Sequence, residues 1–217
     1  MIYFTHSQKK NLECKVFQMS HESKFDLIDD LLRKKEVINV QDAEKLGVSR
    51  RLLSKWAAAG RLQRVAQGLY QSAKAVPDDM AILVVASGCI AISHESALYL
   101  LNLTSRCPAM YSATFPKGIN PPKAFSAMLK KYYVIPELFG MGLSTARTPS
   151  GAVVPCYNAE RTICDILRSR SRIDSETLYD ALRRYSTSNS KDVNRLSEYA
   201  QIFHLEKILP AYMGALL

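Results

Sequence analysis

Apolar residues recur at helical spacing through Lys24–Lys35, where Phe25, Ile28, Leu31 and Leu32 share one side and Asp26, Asp29, Asp30 and Arg33 take the others. This predicts a first helix. Val37 to Val40 is a short β-branched stretch, and Gln41–Leu46 reads as a brief second helix closed by Gly47, with Val48 packed in the turn. Ser49 suits the N-cap of a third helix running from Arg50 towards Ala59 and stopped by Gly60. Leu52, Leu53 and Trp56 cover one face of it; Arg50, Arg51, Ser54, Lys55 and Ala58 occupy the other. Because Trp56 lies on the leucine face, it is read as core and not as a ring that stacks on a base. RLQRV and LYQ then read as short strands joined around Ala66, Gln67 and Gly68, with the glycine at the position that needs positive φ. Helix, strand, helix, turn, helix and hairpin is the order of a winged helix-turn-helix.

Beyond Ala75, Val76 and Pro77 the acidic pair Asp78 and Asp79 changes the pattern, and a domain boundary is expected there. Met80–Ala86 and His94–Leu101 have helical spacing, and Cys89–Ser93, Tyr111–Phe115, Lys131–Ile135, Leu143–Thr148 and Ala152–Cys156 read as strands. The last two strands should form a hairpin through Pro149, Ser150 and Gly151. Further on, Asn158, Asp174 and Ser190 are placed to cap three helices, and Leu205–Leu217 is a last apolar segment broken by Pro210. The expected fold is α+β. It comprises an N-terminal extension over 1–23, open to disorder, a winged helix-turn-helix over 24–77, and a mixed α/β domain with a helical C-terminal tail over 78–217.

Composition adds the partner. The chain has 217 residues and a formal net charge of +9, with 47% hydrophobic and 23% charged residues, as in an ordinary globular protein with an anionic partner. The basic excess is local: from Lys45 to Pro77 there is no Asp or Glu, yet Lys45, Arg50, Arg51, Lys55, Arg61, Arg64 and Lys74 all fall there. In a winged helix-turn-helix the helix after the tight turn enters the major groove. Arg50, Arg51, Ser54 and Lys55 are therefore candidate base readers, with Ser49 at the start of their helix. Arg61, Arg64 and Gln67, on or near the wing, suit phosphate contacts or a minor-groove approach.

Other chemistry is sought and finds little support. Five cysteines without a CxxC pair encode neither a disulfide framework nor a zinc site, which fits a reduced cytoplasm, and the four histidines lie far apart. The longest apolar run, from Ala81, is too short to span a bilayer, and the N-terminal stretch lacks a signal-peptide pattern. Glycine-rich phosphate loops are missing, and after Glu22-Ser23-Lys24, outside any expected core, no acidic residue is followed two positions later by Lys. His94 beside Glu95 has the makings of a general base but reads better as the opening of a helix. Arg161 and Asp165 read as an i,i+4 ion pair on an exposed face, worth roughly 0.2–0.5 kcal/mol. No catalytic residue, metal ligand or cofactor site is assigned.

GRLQRVAQGLY after the third helix, then ISHESALYLLNL, TFPKG and YNAERTICDIL, in this order, resemble the AbiEi family of transcriptional-regulator antitoxins from abortive-infection toxin–antitoxin systems. The resemblance covers Phe25 to Leu167. It implies a winged helix that represses its own operon by binding inverted repeats in operator DNA as a dimer. It also implies a C-terminal domain that antagonises a nucleotidyltransferase-like toxin without a stable complex. A stand-alone regulator and a DNA-processing enzyme with a degenerate site are the other readings.

Overall fold

The computed structural model describes residues 21–214, apart from the side chains of His21 and Met213. Residues 1–20 of the expected N-terminal extension and residues 215–217 of the last apolar segment lie outside the described residues. The chain divides into two compact units, one running to Ala86 and the other starting at Ser87.

The first unit opens with α1 (His21–Lys35), so residues 21–23 belong to a helix and not to the extension. It continues with β1 (Val37–Asn39), α2 (Val40–Glu44), α3 (Arg50–Ala58), β2 (Leu62–Ala66) and β3 (Leu69–Ser72). Local chemistry sets these limits. Asn39 caps α2 by accepting from the Asp42 amide, and the Asp42 carboxylate accepts in turn from the Asn39 amide. Gly47 takes φ 70° after α2, and Ser49 accepts from the Leu52 amide at the start of α3. Ile28 and Leu32, Ile38, Ala43, Val48, Leu53 and Trp56, with Leu62 and Tyr70, close over one another as a single core. Trp56 is buried in it, edge-on to Phe25 at 5.1 Å between ring centres.

The strands form an antiparallel sheet in the order β1-β3-β2. Gly68 turns the β2–β3 hairpin with φ 75°, and its carbonyl accepts from the Val40 amide at 3.1 Å, which ties the hairpin to the start of α2. After the hairpin comes α4 (Asp79–Ser87), with the Asp78 carboxylate accepting from the amides of Met80 and Ala81, and the two compact units divide at the far end of that helix.

The second unit contains β4 (Ala91–Ile92), α5 (His94–Leu100), β5 (Tyr111–Pro116), β6 (Leu129–Val134), α6 (Pro136–Phe139), β7 (Leu143–Arg147), β8 (Val153–Tyr157), α7 (Ala159–Arg168), α8 (Ser175–Thr187), α9 (Val193–Ile202) and α10 (Ile208–Gly214). Its mixed sheet has the order β6-β5-β4-β8-β7, with β5–β6 and β4–β8 parallel and the other pairs antiparallel. α7 lies at the centre of the helical layer: Ile163, Ile166 and Leu167 pack with Leu98 of α5, Leu178, Leu182 and Tyr185 of α8, and Leu196 and Ala200 of α9. Two expectations change. The cap of α9 is Asp192 and not Ser190, because the Asp192 carboxylate reaches the Arg195 amide at 2.9 Å. Pro210 falls in the first turn of α10, where a missing N–H breaks no helical hydrogen bond, so it does not interrupt the segment.

Candidate functional site

In the first unit the residues expected to meet DNA sort into two groups. Arg50, Arg51 and Lys55 are exposed on α3, and among the described residues nothing pairs with them. Arg50 and Arg51 occupy the first turn, where the unpaired amides of the helix add to their positive field. Gln67 is exposed at the hairpin tip, and Arg64 is exposed on β2 with its Nε directed at the Ala66 carbonyl at 3.4 Å. The others are engaged. Ser49 caps the helix, and Ser54 shares a hydrogen bond of 3.3 Å with the Tyr70 hydroxyl. Arg61 donates to Glu22 at 3.0 Å, and its guanidinium lies 3.7 Å from the centre of the Phe25 ring. The structure therefore turns Arg61 towards α1 rather than out along the hairpin.

The second unit holds a cavity of about 140 Å³ that sequence reading did not foresee, lined among others by His94, Thr114, Tyr132, Arg161, Asp165 and Ser169. Arg161 is fully buried, contrary to the exposed ion pair expected from its spacing to Asp165. Its Nε donates to Asp165 at 3.0 Å, its Nη1 donates to the carbonyls of Leu138 and Met141, and its plane lies 4.3 Å from the centres of both the Tyr157 and Phe203 rings. The side chains of Arg161 and Asp165 are 1% and 4% exposed, so each charge depends on the other. Burial pushes the Asp165 carboxyl up, against the pull of Arg161.

His94 is also buried, at φ 48°, and stacks on Tyr132 with 3.3 Å between ring centres. Ser93 Oγ accepts from Thr114 Oγ1 and lies 2.9 Å from His94 Nδ1. Ser169 Oγ lies 3.1 Å from Nε2, so the ring bridges two serine hydroxyls and its tautomer sets which nitrogen donates. Burial, followed by the charges of Lys130, Arg172, Arg161 and Arg168, drives the His94 pKa well below its ordinary value. A general base for Ser169 needs a carboxylate to orient its second nitrogen, and here that partner is the Ser93 hydroxyl. Among the described residues, no group of His, Cys, Asp and Glu is arranged to hold a metal ion, and no helix is long and apolar enough to cross a membrane.

Comparison with known proteins bears on the first unit. Residues 26–73 match the family described as "Transcriptional regulator, AbiEi antitoxin". The AbiEi match runs from α1 to the residue after β3 and takes in Ser49, Arg50, Arg51, Ser54, Lys55, Arg61, Arg64 and Gln67. Outside that AbiEi segment the likeness is one of fold. The crystal structure of the RV2827C protein from Mycobacterium tuberculosis superposes with a TM-score of 0.55 at 15% identity, covering 88% of this chain and 79% of that one. No curated protein sequence matches the chain.

Asp165→Asn should destabilise the second unit by about 3–5 kcal/mol, the range for breaking a buried ion pair, measured by urea unfolding. A loss within 0.5 kcal/mol would return the pair to the exposed class. His94 generates a pH effect. Its folded pKa is depressed, so below about 6.5 the unfolded chain takes up a proton that the folded one refuses. Stability should therefore fall as pH drops from 7 towards 5, by at most about 1.4 kcal/mol per pH unit for this one group. His94→Gln should flatten that slope, and equal slopes for the two proteins would show that His94 does not cause it.

Proposed function

We propose that residues 24–77 form a winged helix-turn-helix that binds double-stranded operator DNA, and that the chain is a DNA-binding autorepressor and antitoxin rather than an enzyme. The observation that carries this reading is the sorting of the acid-free stretch. Arg61 and Ser54 are tied into the fold, whereas Arg50, Arg51 and Lys55 are left unpaired and exposed on the helix that follows the tight turn. In this reading α3 enters the major groove, where a guanidinium of Arg50 or Arg51 donates two hydrogen bonds to guanine. Arg64 and Gln67 on the hairpin meet the phosphate backbone. The family description matched by residues 26–73 supports both roles, regulator and antitoxin. The toxin it opposes is nucleotidyltransferase-like and is countered without a stable complex, as part of phage defence in the cytoplasm. Inverted repeats in the chain's own promoter, bound by a dimer, are the expected operator.

One observation favours a narrower second reading. The family match ends at residue 73, within the first unit, so a stand-alone regulator has the same support for its DNA-binding half.

Two substitutions separate base reading from backbone contact. Arg51→Ala should weaken binding to the operator by about 1–3 kcal/mol and relax preference at one base pair, read by competition with single-base operator variants. Arg64→Ala should weaken operator and random DNA alike and lower the salt slope by about one unit. If all single substitutions at Arg50, Arg51, Ser54 and Lys55 leave affinity and preference unchanged, α3 is not in the groove. For the antitoxin role, the full chain expressed beside a co-transcribed nucleotidyltransferase-like gene driven from a foreign promoter should restore growth. Continued growth arrest with folded protein present would leave the stand-alone regulator.

A further inference from the structure

The cavity of the second unit has donors to spare and few acceptors. Arg161 Nη2, on the same edge of the guanidinium as the Nε that binds Asp165, donates to no atom among the described residues, although the residue is fully buried. Arg168 lies 3.6 Å from Asp165, beyond hydrogen-bond reach, with its guanidinium over the Phe203 ring and 40% of its side chain exposed. Ser169 is half-buried, and its Oγ shares a hydrogen bond of 3.1 Å with His94 Nε2. On the acceptor side, Asp165 is taken by Arg161 and flanked by Arg168, while Thr114 Oγ1, its proton given to Ser93, keeps only lone pairs. Two guanidiniums therefore face one carboxylate, and the surplus is positive.

We propose that this cavity binds a tetrahedral oxyanion, either free orthophosphate or the phosphate of a monoester, through Arg161 Nη2, Arg168 and Ser169 Oγ. The ligand class follows from the hydrogen-bond inventory. A phosphate accepts at every oxygen and donates little, which matches a site whose free charged groups are the guanidiniums of Arg161 and Arg168. A cation finds only the Asp165 carboxylate, already neutralised between those two guanidiniums. Size agrees as well. One water needs roughly 10–15 Å³ of such volume, so about 140 Å³ holds a phosphate with room for water. His94, with Nε2 at 3.1 Å from Ser169 Oγ, holds that hydroxyl at the cavity.

The experiment uses the full chain and measures binding by calorimetry at constant ionic strength, with inorganic phosphate in one arm and a nucleoside 5′-monophosphate in the other. Imidazole ¹⁵N spectra provide a readout local to His94. Saturable binding that shifts the His94 resonances is expected in at least one arm, and the tighter arm identifies the source. Arg168→Gln should weaken it tenfold or more and Ser169→Ala several-fold, while Arg51→Ala on α3 leaves it unchanged. Absence of saturable binding in both arms overturns the proposal. So does binding lost in Arg51→Ala and kept in Arg168→Gln and Ser169→Ala, because the anion then sits on the basic face of α3. If Arg168→Gln proves unfolded, Ser169→Ala and the His94 shifts decide alone.

Discussion

A guanidinium buried in the interior needs protein partners for its charge, since an unpaired charge there costs several kcal/mol. Arg161 is met by pieces far apart in sequence: Asp165 one turn along α7, the carbonyls of Leu138 and Met141 where α6 leads to β7, the Tyr157 ring at the end of β8, and the Phe203 ring at the end of α9. Helix, sheet edge and C-terminal layer of the second unit are thus fixed to one another through a single side chain. Gly142 shows how tight the arrangement is. It has φ 71°, its carbonyl accepts from the Asn158 amide, and a Cβ there would stand 2.6 Å from Arg161 Cβ. Only glycine satisfies both the backbone angle and the approach. Glu160, also buried on α7, accepts from the Tyr185 hydroxyl and the Asp192 amide, which joins α8 and the start of α9 to the same helix.

The first unit handles charge in the opposite way. Its core is apolar, and its cations are either used at the surface to hold elements together or left over. Lys35 donates to Asp42 at 2.9 Å, and Arg61 reaches Glu22 while covering Phe25. Exposed pairs of this kind contribute about 0–1 kcal/mol each, so they orient more than they stabilise. Arg50, Arg51 and Lys55 do neither. Three like charges on one short helix repel one another, and no acidic residue from Lys45 to Pro77 relieves them. A polyanion along that face turns the repulsion into attraction.

What the sequence revealed and concealed follows from the range of the interactions. The first unit was legible because its determinants are local: the Ser49 cap, Gly47 and Gly68 at positive φ, and the period that puts Leu53 and Trp56 inside all lie within a few residues of what they control. The role of Arg61 was not legible, since Glu22 is 39 residues away. The cavity escaped for the same reason. His94, Thr114 and, on α7 and its C-cap, Arg161 and Ser169 belong to three separate segments that the fold brings together, and the spacing of Arg161 to Asp165 on an amphipathic helix is identical whether the pair faces water or the core. The cap of α9 was misplaced by two residues because Ser190 and Asp192 are both good caps, and only the backbone path decides between them.

The surroundings of His94 bear on what the second unit does. A histidine next to a serine hydroxyl in a cavity invites a nucleophilic reading, yet that chemistry needs an imidazole nitrogen free to take the serine proton and a carboxylate behind the other nitrogen. Here serine hydroxyls stand at both nitrogens, and burial among four cationic side chains disfavours the imidazolium that proton transfer would create. A neutral imidazole beside two guanidiniums is suited to holding an anion rather than transforming one. Read this way, the Thr114–Ser93–His94–Ser169 chain and the buried Arg161 serve one end: both bring rigid N–H and O–H groups to a place that water reaches poorly, where their attraction for negative charge is least screened.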